Sequence, residues 1–393
     1  MARETVLEQT LGREICMMKR LGDYIRPVDV RNRDLKVTRL LGVSITKEFM
    51  PSIANIVGTD LSAYKVVTKG QFAYGPVTSR NGDKISVALL DGYDDAIISQ
   101  AYTVFEVVDT NALDPEYLMM WFRRPEFDRY ARFHSHGSAR EVFDWEEMCE
   151  VLVPVPAIEK QREIVAEYNT LATRIQTNKK LIATLEQTAC AIYRKMFQED
   201  SSIVKGKMGD LCSCFTGFPF DGERYSDKDG TVALRGENVT EQSLRWDTVK
   251  KYNDEITERI AKCYLQEWDV VIGMDGSKVG KNWSLVTEYD LPLLLAQRVA
   301  RLRTNSVEQQ LYIYMSLKME KFSDYVSRVN TGSTILHISG PQIEDFPIVI
   351  PSEEQFKVLK QDYIPIFTKI KLHNRENQTL TQMQTLLLSQ MGA

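Results

Sequence analysis

The sequence predicts an α+β chain in which two similar mixed α/β domains are separated by two long antiparallel coiled-coil helices, with a pseudo-two-fold internal repeat. Three observations predict it. Short stretches of text recur at one offset, two segments carry apolar residues every seven positions, and the remainder reads as short strands between turn residues. The boundaries this implies are a first domain over 1–155, a first long helix over 156–200, a second domain over 201–350 and a second helix over 351–393.

The repeat decides the architecture. Gly137-Ser138 and Gly332-Ser333 lie 195 residues apart, and each Gly is followed 19 residues later by a proline, Pro156 and Pro351. Between them both segments end in strand-like text, Val151-Leu152-Val153-Pro154-Val155 and Phe346-Pro347-Ile348-Val349-Ile350. Thr184-Leu185-Glu186-Gln187 matches Thr379-Leu380-Thr381-Gln382 at the same offset, Ile175 matches Ile370 and Met196 matches Met391. Leu21-Gly22-Asp23 resembles Met208-Gly209-Asp210, and Gln100-Ala101-Tyr102 resembles Gln297-Arg298-Val299 with a drift of a few residues. One such match arises by chance, but a chain of them at one offset does not.

The domain text is rich in Val, Tyr, Thr and Phe with Gly, Asn and Asp turns, as in Gln71-Phe72-Ala73-Tyr74-Gly75 and Asp269-Val270-Val271-Ile272-Gly273. Helical pieces are expected at Pro115 to Phe133 and Glu308 to Val326. In the first long helix, Ile164, Leu171, Asn178, Leu185 and Ile192 form one seven-residue series, and Tyr168, Ile175, Ile182, Ala189 and Met196 another. These are a and d positions of a coiled-coil seam, and a polar a residue such as Asn178 fixes register at a cost in stability. The second seam runs through Leu359, Ile366, His373, Leu380 and Leu387, with Tyr363, Ile370, Asn377, Gln384 and Met391. His373 stands where Asn178 stands, so the two helices are expected to pair with each other, polar level against polar level. Pro365 is expected to kink or interrupt the second helix, and Ser352-Glu353-Glu354-Gln355 reads as a capping box that starts it.

Composition narrows the function. At 43% hydrophobic and 26% charged residues, the chain is an ordinary globular one rather than a disordered or fibrous one. No apolar run approaches the ~18 residues a membrane helix needs. Met1 to Thr10 is polar and does not read as a signal peptide, so a cytoplasmic location is expected. The net charge of −5 excludes a uniformly basic coat for nucleic acid.

Catalytic equipment is missing from the text. Neither nucleotide-binding glycine motif is present, and Gly273 to Gly280 is merely Gly-rich. There is no Asn/Asp-Pro-Pro-aromatic run. Ser138, His136 and Asp144 are near in sequence, which is not triad geometry. Glu146-Glu147 and Glu353-Glu354 read as solvated helix starts. The cysteines at 16, 149, 190, 212, 214 and 263 and the four histidines lack metal-ligand spacing, so reduced thiols and no metal are expected.

Instead, basic and polar residues sit on Gly-rich turns at matched places in both halves. Thr78 to Lys84, with Ser79, Arg80, Asn81 and Lys84, matches Asp275 to Lys281, with Ser277, Lys278 and Lys281. His134 to Arg140, with His136, Gly137, Ser138 and Arg140, matches Asn330 to His337, with Gly332, Ser333, Thr334 and His337. Glycine lets the backbone approach a phosphate, hydroxyls and cations donate to it, and Arg, Asn and Gln also read base edges. Gln100, Tyr102, Gln297 and Arg298 complete this candidate DNA-binding set, while Leu171, Ile175, Asn178, Ile182, Leu185, Ile366, Ile370, His373 and Leu380 are the candidates for helix pairing. The segments 123–140 and 278–303 each sum to +3, so the −5 total is read as opposed patches.

Together these features resemble the specificity subunit of a type I restriction–modification system. The residues that carry the resemblance are Phe72-Ala73-Tyr74, Ile98-Ser99-Gln100-Ala101-Tyr102, His136 to Glu141, and the Val-Pro-x-Pro-x-x-x-x-Gln start of the first helix ending at Gln161. In the second half they are Leu234 to Val239, Gly332 to Ile335 and His337-Ile338-Ser339, and the duplicated order is the most specific feature. The resemblance implies two target-recognition domains joined by helices that pair antiparallel, and no catalysis by the chain itself. It implies a split double-stranded DNA target, two adenine-methylating modification subunits, and restriction subunits. S-adenosylmethionine, ATP and magnesium are then expected on the partners, with no cofactor bound by this chain. A helix of ~40 residues spans ~60 Å, so two half-sites with an unread gap are expected. The halves differ in sequence, which predicts an asymmetric target. Two other classes compete with this reading: a coiled-coil scaffold whose domains bind protein, and an enzyme such as a nuclease with an unfamiliar site.

Overall fold

A computed structural model describes residues 18–52, 58–79, 81–137, 140–199, 204–329 and 336–392. The chain divides into two units, 1–175 with 379–393 and 176–378, so the division falls inside both long helices.

Unit 1 opens with β1 (Met18–Arg20), which pairs antiparallel with β10 (Leu152–Pro154). Its main sheet takes the order β2 (Ile25–Val28), β9 (Thr103–Val107), β6 (Phe72–Tyr74), β7 (Val87–Leu89), all antiparallel. Smaller pairs are β3 (Leu41–Val43) with β4 (Phe49–Pro51), and β5 (Lys65–Thr68) with β8 (Asp95–Ile98). Side chains alternate across a strand, and here both faces are covered. Phe72, Tyr74 and Phe105 enter one core with the helix α1 (Pro115–Phe122), whereas Ala73, Ala88 and Val104 enter a second with Leu41, Val67 and Ile98.

Proline punctuation shapes the helices after β9. Asp114 caps α1 through bonds to the amides of Glu116 and Tyr117, with Pro115 at the first helical position. The expected helix from Pro115 to Phe133 is two helices, because Pro125 forces Arg124 out of the helical region (ψ 137°) before α2 (Pro125–Phe133) begins. A short α3 (Trp145–Glu150) precedes β10.

Unit 2 repeats this plan. The strand β11 (Val204–Lys207) pairs antiparallel with β22 (Pro347–Ile350). The antiparallel order β12 (Ser213–Thr216), β21 (Val299–Arg303), β18 (Val270–Gly273), β19 (Trp283–Leu285) reproduces that of β2, β9, β6 and β7. A second sheet is formed by β13 (Tyr225–Ser226), β17 (Lys250–Tyr252), β14 (Thr231–Leu234) and β20 (Leu293–Leu295), and β15 (Val239–Thr240) pairs with β16 (Ser243–Leu244). Single bonds recur at matched places: the Leu21 amide donates to the Val151 carbonyl and the Met208 amide to the Phe346 carbonyl, both at 2.8 Å. The helix expected from Glu308 to Val326 is again two, α6 (Val307–Met319) and α7 (Phe322–Val329), divided at Lys321, whose φ is +56°; the one-turn helix α5 (Glu258–Ala261) precedes them and α8 (Gly340–Glu344) comes after.

The long helices are α4 (Ile158–Phe197) and α9 (Glu353–Gln390). Gln161 docks the start of α4 in unit 1: fully buried, it accepts from the Asp114 amide at 2.8 Å and donates to the carbonyls of Ala112 and Pro156. Ser352 and Gln355 form the capping box of α9. Of the expected kink or interruption at Pro365, the interruption is absent: α9 runs continuously through it. Pro365 and Gln361, whose carbonyl it leaves without an amide, lie on the exposed face, while Leu359, Tyr363 and Phe367 hold the inner face.

Within unit 2 the helices run antiparallel, since the Tyr363 hydroxyl donates to the Ala189 carbonyl at 3.3 Å. Ile175, in unit 1, and Asn178 are buried; Leu171, Ile182, Leu185, Ile366, Ile370, His373 and Leu380 are half-buried. The expected level of Asn178 against His373 is corrected: Asn178 donates to Asn377 Oδ1 at 3.1 Å and to Glu376 at 2.8 Å, and His373 approaches Glu376 on its own helix. Antiparallel helices set an a position of one against a d position of the other, which a shift of equal positions overlooks. Asn178 Oδ1 is buried without a hydrogen-bond partner among the described residues, so this level specifies register more than it stabilises. Replacing both Asn178 and Asn377 with leucine is expected to raise stability to urea by about 1 kcal/mol; a lowered urea midpoint would instead show the polar level to be net stabilising.

Candidate nucleic-acid interface

In each unit an isolated bridge joins the described flanks of the two Gly-rich loops. In unit 1, Val77 and Val142 form an isolated antiparallel bridge, as do His136 and Val142. The Thr78 amide donates to the Glu141 carbonyl at 3.0 Å and its hydroxyl to Ser135 Oγ at 2.9 Å. Gly137 has φ +131°, and a Cβ there would strike the Arg140 carbonyl, so the turn requires glycine. Ser79, Lys84, His136 and Arg140 are exposed. Asn81 is half-buried, its amide group donating to the Val77 carbonyl at 3.3 Å, which commits it to the turn. Arg80 and Ser138 lie outside the described residues.

In unit 2 the same bridge joins Asp275 to His337, 195 positions after Val142. Asp275 organises the site: its carboxylate takes Arg298 at 3.1 Å and His337 Nδ1 at 2.9 Å. The Met274 amide donates to the Arg298 carbonyl at 2.9 Å, and Arg298 is held at φ +67°. Lys278 pairs with Glu241 at 3.0 Å. Ser277, Lys278, Lys281, Gln297, Arg298 and His337 are thus exposed around one loop pair, whereas Gly332, Ser333 and Thr334 lie outside the described residues. In unit 1, Gln100 is exposed on the turn after β8, and Tyr102 is half-buried against Gly75 at the base of the 76–84 loop, its hydroxyl 3.5 Å from the Val43 amide.

The two +3 segments need correction as patches. Arg124 is buried with its guanidinium 4.2 Å from the Trp121 ring. Arg301 is buried over Phe215 and donates to the Lys262 carbonyl, with burial holding its pKa below the usual guanidinium range. Arg303 is clamped by Asp269 at 2.6 and 2.7 Å. These three cations build the fold. For Arg301 and Arg303 the inward placement is set by partners 34 or more positions away and by the face of a strand, and for Arg124 by the Trp121 ring, none of which a charge sum contains.

Several of the other cations and histidines of these segments face carboxylates that motif and spacing do not reveal as partners. Arg132 pairs with Glu141, and His134 and His136 face Glu147 at 3.0 and 3.6 Å. Lys278–Glu241 and Arg298–Asp275 are solvent-exposed on their cationic side, and such pairs are worth about 0–1 kcal/mol. A phosphate can therefore displace the carboxylate at small cost. Acidic residues one strand away from a cation were the available signal, as Glu241 beside β19 through its bridge to Trp283. Elsewhere burial raises the thiols of Cys212 and Cys214, each to about 12, which keeps them protonated and unreactive. Among the described residues no group of His, Cys, Asp or Glu is arranged to hold a metal, and no helix is long and apolar enough to cross a membrane.

Comparison with known proteins fits this duplicated plan. Residues 201–382 match the family described as the type I restriction modification DNA specificity domain. The specificity subunit of the MjaVIII type I restriction enzyme of Methanocaldococcus jannaschii is 21% identical over 265 residues, covering 61% of this chain and 60% of that protein. That of the HindI enzyme of Haemophilus influenzae is 20% identical over 415 residues, covering 86% of this chain and 89% of that protein. By these matches the chain is similar to the type I specificity subunits, the family match falling on its second half. The fold agrees: the crystal structure of the type I restriction–modification S subunit from M. genitalium superposes with a TM-score of 0.63 at 13% identity, covering 97% of both chains. The first of these sequence relatives is thus matched over 60% of its own length.

Proposed function

We propose that this chain is a specificity subunit that reads a bipartite, asymmetric double-stranded DNA target, one half per unit, and carries adenine-methylating modification subunits and restriction subunits to it in the cytoplasm. One observation carries the reading: the bridge Val77–Val142 and its counterpart Asp275–His337 each set two turn loops with exposed cations and hydroxyls beside one another. The same scaffold presents different side chains in the two units, and different readers select different half-sites. Methyl transfer, ATP use and magnesium chemistry belong to the partners in this reading.

Selection of duplexes from a random pool by the full chain tests it. Two unlike half-sites separated by a fixed unread gap are expected; a continuous or perfectly palindromic site contradicts it. Arg140→Ala and Lys278→Ala are each expected to weaken binding, with the slope of log affinity against log salt falling by about 1 if the lost contact is to phosphate. Unchanged affinity across salt concentrations would remove those two loops from the interface.

A further inference from the structure

Both ends of the 78–85 loop are held by one segment of unit 1. At the start, Thr78 bonds the Glu141 carbonyl and Ser135 Oγ. At the end, the Ile85 amide donates to Asp128 Oδ1 at 3.2 Å. Asp128 lies in the first turn of α2, the helix that runs directly into the 134–142 loop. Its Oδ1 also receives Lys47 Nζ at 2.7 Å, and Lys47 is 5% exposed. Lys47 reaches inward from a turn in which its own φ is +65°. Its ammonium also donates to the Phe122 carbonyl and lies 5.3 Å from the Phe127 ring.

A buried ion pair is poor evidence for stability, because apolar residues of similar volume pack in its place at no loss or at a gain. Such residues would however leave the Ile85 amide without an acceptor. We propose that the Lys47–Asp128 pair is a positioning device that sets the 78–85 loop against the 134–142 loop and so fixes the base preference of one half-site. This rests on the DNA-reading function proposed above. Desolvation lowers the pKa of Lys47, and the Asp128 carboxylate opposes that shift. Unit 2 achieves the same approach sterically. Position 323, 195 beyond Asp128, is serine, and Gly280 (φ +81°) lets α7 come so close that a Cβ would lie 2.8 Å from Val326 Cβ. The ionic device therefore belongs to one half alone.

The test is duplex selection by the full chain, read beside thermal melting. Lys47→Met with Asp128→Leu removes both charges and the acceptor; Lys47→Met with Asp128→Asn removes the charges and keeps an acceptor for Ile85. The leucine pair is expected to lose about tenfold of its base preference at one half-site and none at the other; the asparagine pair is expected to keep both. The proposal is overturned if the leucine pair selects both half-sites as the parent does, or if the two variants lose preference equally. Should the leucine pair fail to fold, Asp128→Glu shifts the carboxylate by one methylene. Relaxed preference at one half-site is then expected, and unchanged preference at both overturns the proposal. A parent chain that enriches no sequence would refute the DNA-reading function itself, a different result from any of these.

Discussion

Tyr193→Ala is expected to lower the stability of unit 2 by about 3–5 kcal/mol, read as a reduced urea midpoint. The ring is fully buried near the end of α4, stacked on Tyr312 with centroids 5.7 Å apart and edge-on to Phe197 at 5.0 Å. Its hydroxyl donates to Glu320 at 2.9 Å and lies 3.3 Å from Ser316 Oγ. Burial raises the hydroxyl's pKa, so it stays a donor at any working pH. Tyr193→Phe is a control that keeps the ring and removes those bonds, at about 1–2 kcal/mol. Equal losses from the two variants would mean that the hydroxyl, rather than the packing, holds the helix. The expected difference has a functional meaning: the last turns of α4 are part of the core of unit 2, together with Ala189, Cys190 and Phe197, and do not behave as a free rod.

Asp269→Asn should cost about 3 kcal/mol, near the lower end for breaking a buried pair, because the Arg303 side chain keeps 26% exposure. Asp269 is 2% exposed, receives both the Nε and Nη2 of Arg303, and accepts the Gln266 amide at 2.7 Å. Asparagine preserves the amide contact and abolishes the charge. Adding Arg303→Met should recover part of the loss, since the cation then no longer lacks its partner; a double variant worse than the single would refute the pair as the cause. The position matters for the interface. Asp269 and Arg303 close one end of the β18–β21 ladder, in which Val270 faces Leu302 and Gly273 faces Val299. The other end feeds Asp275 and Arg298, so slack in the ladder should also loosen the candidate reading loop.

Much of this was legible in the amino-acid order because it depends on residues close in sequence or on a copied pattern. The capping box at Ser352 and Gln355, the strands around Phe72 and Val271, and the seven-residue stripes are local. The repeat reached down to a single bond, from Leu21 to Val151 and from Met208 to Phe346. The breaks before Pro125 and at Lys321 were less legible, since an apolar period continues across both. Of the candidate loop residues, the matched turns were legible, and the structure then divided their neighbours into exposed and inward-turned cations.

The sequence by itself determined the duplicated α+β plan, the two long helices and the matched turn loops. These arise from period, punctuation and repetition, which are properties of order along the chain. Tertiary structure alone decided that Asn178 meets Asn377, that Arg124, Arg301 and Arg303 turn inward, and that Asp128 ties Lys47 to the amide of Ile85. Each of those depends on which distant residue arrives at hydrogen-bonding distance, and therefore on helix direction, strand face and burial. A guanidinium in water and one against Asp269 are the same letter, and only the desolvation and the partner distinguish them.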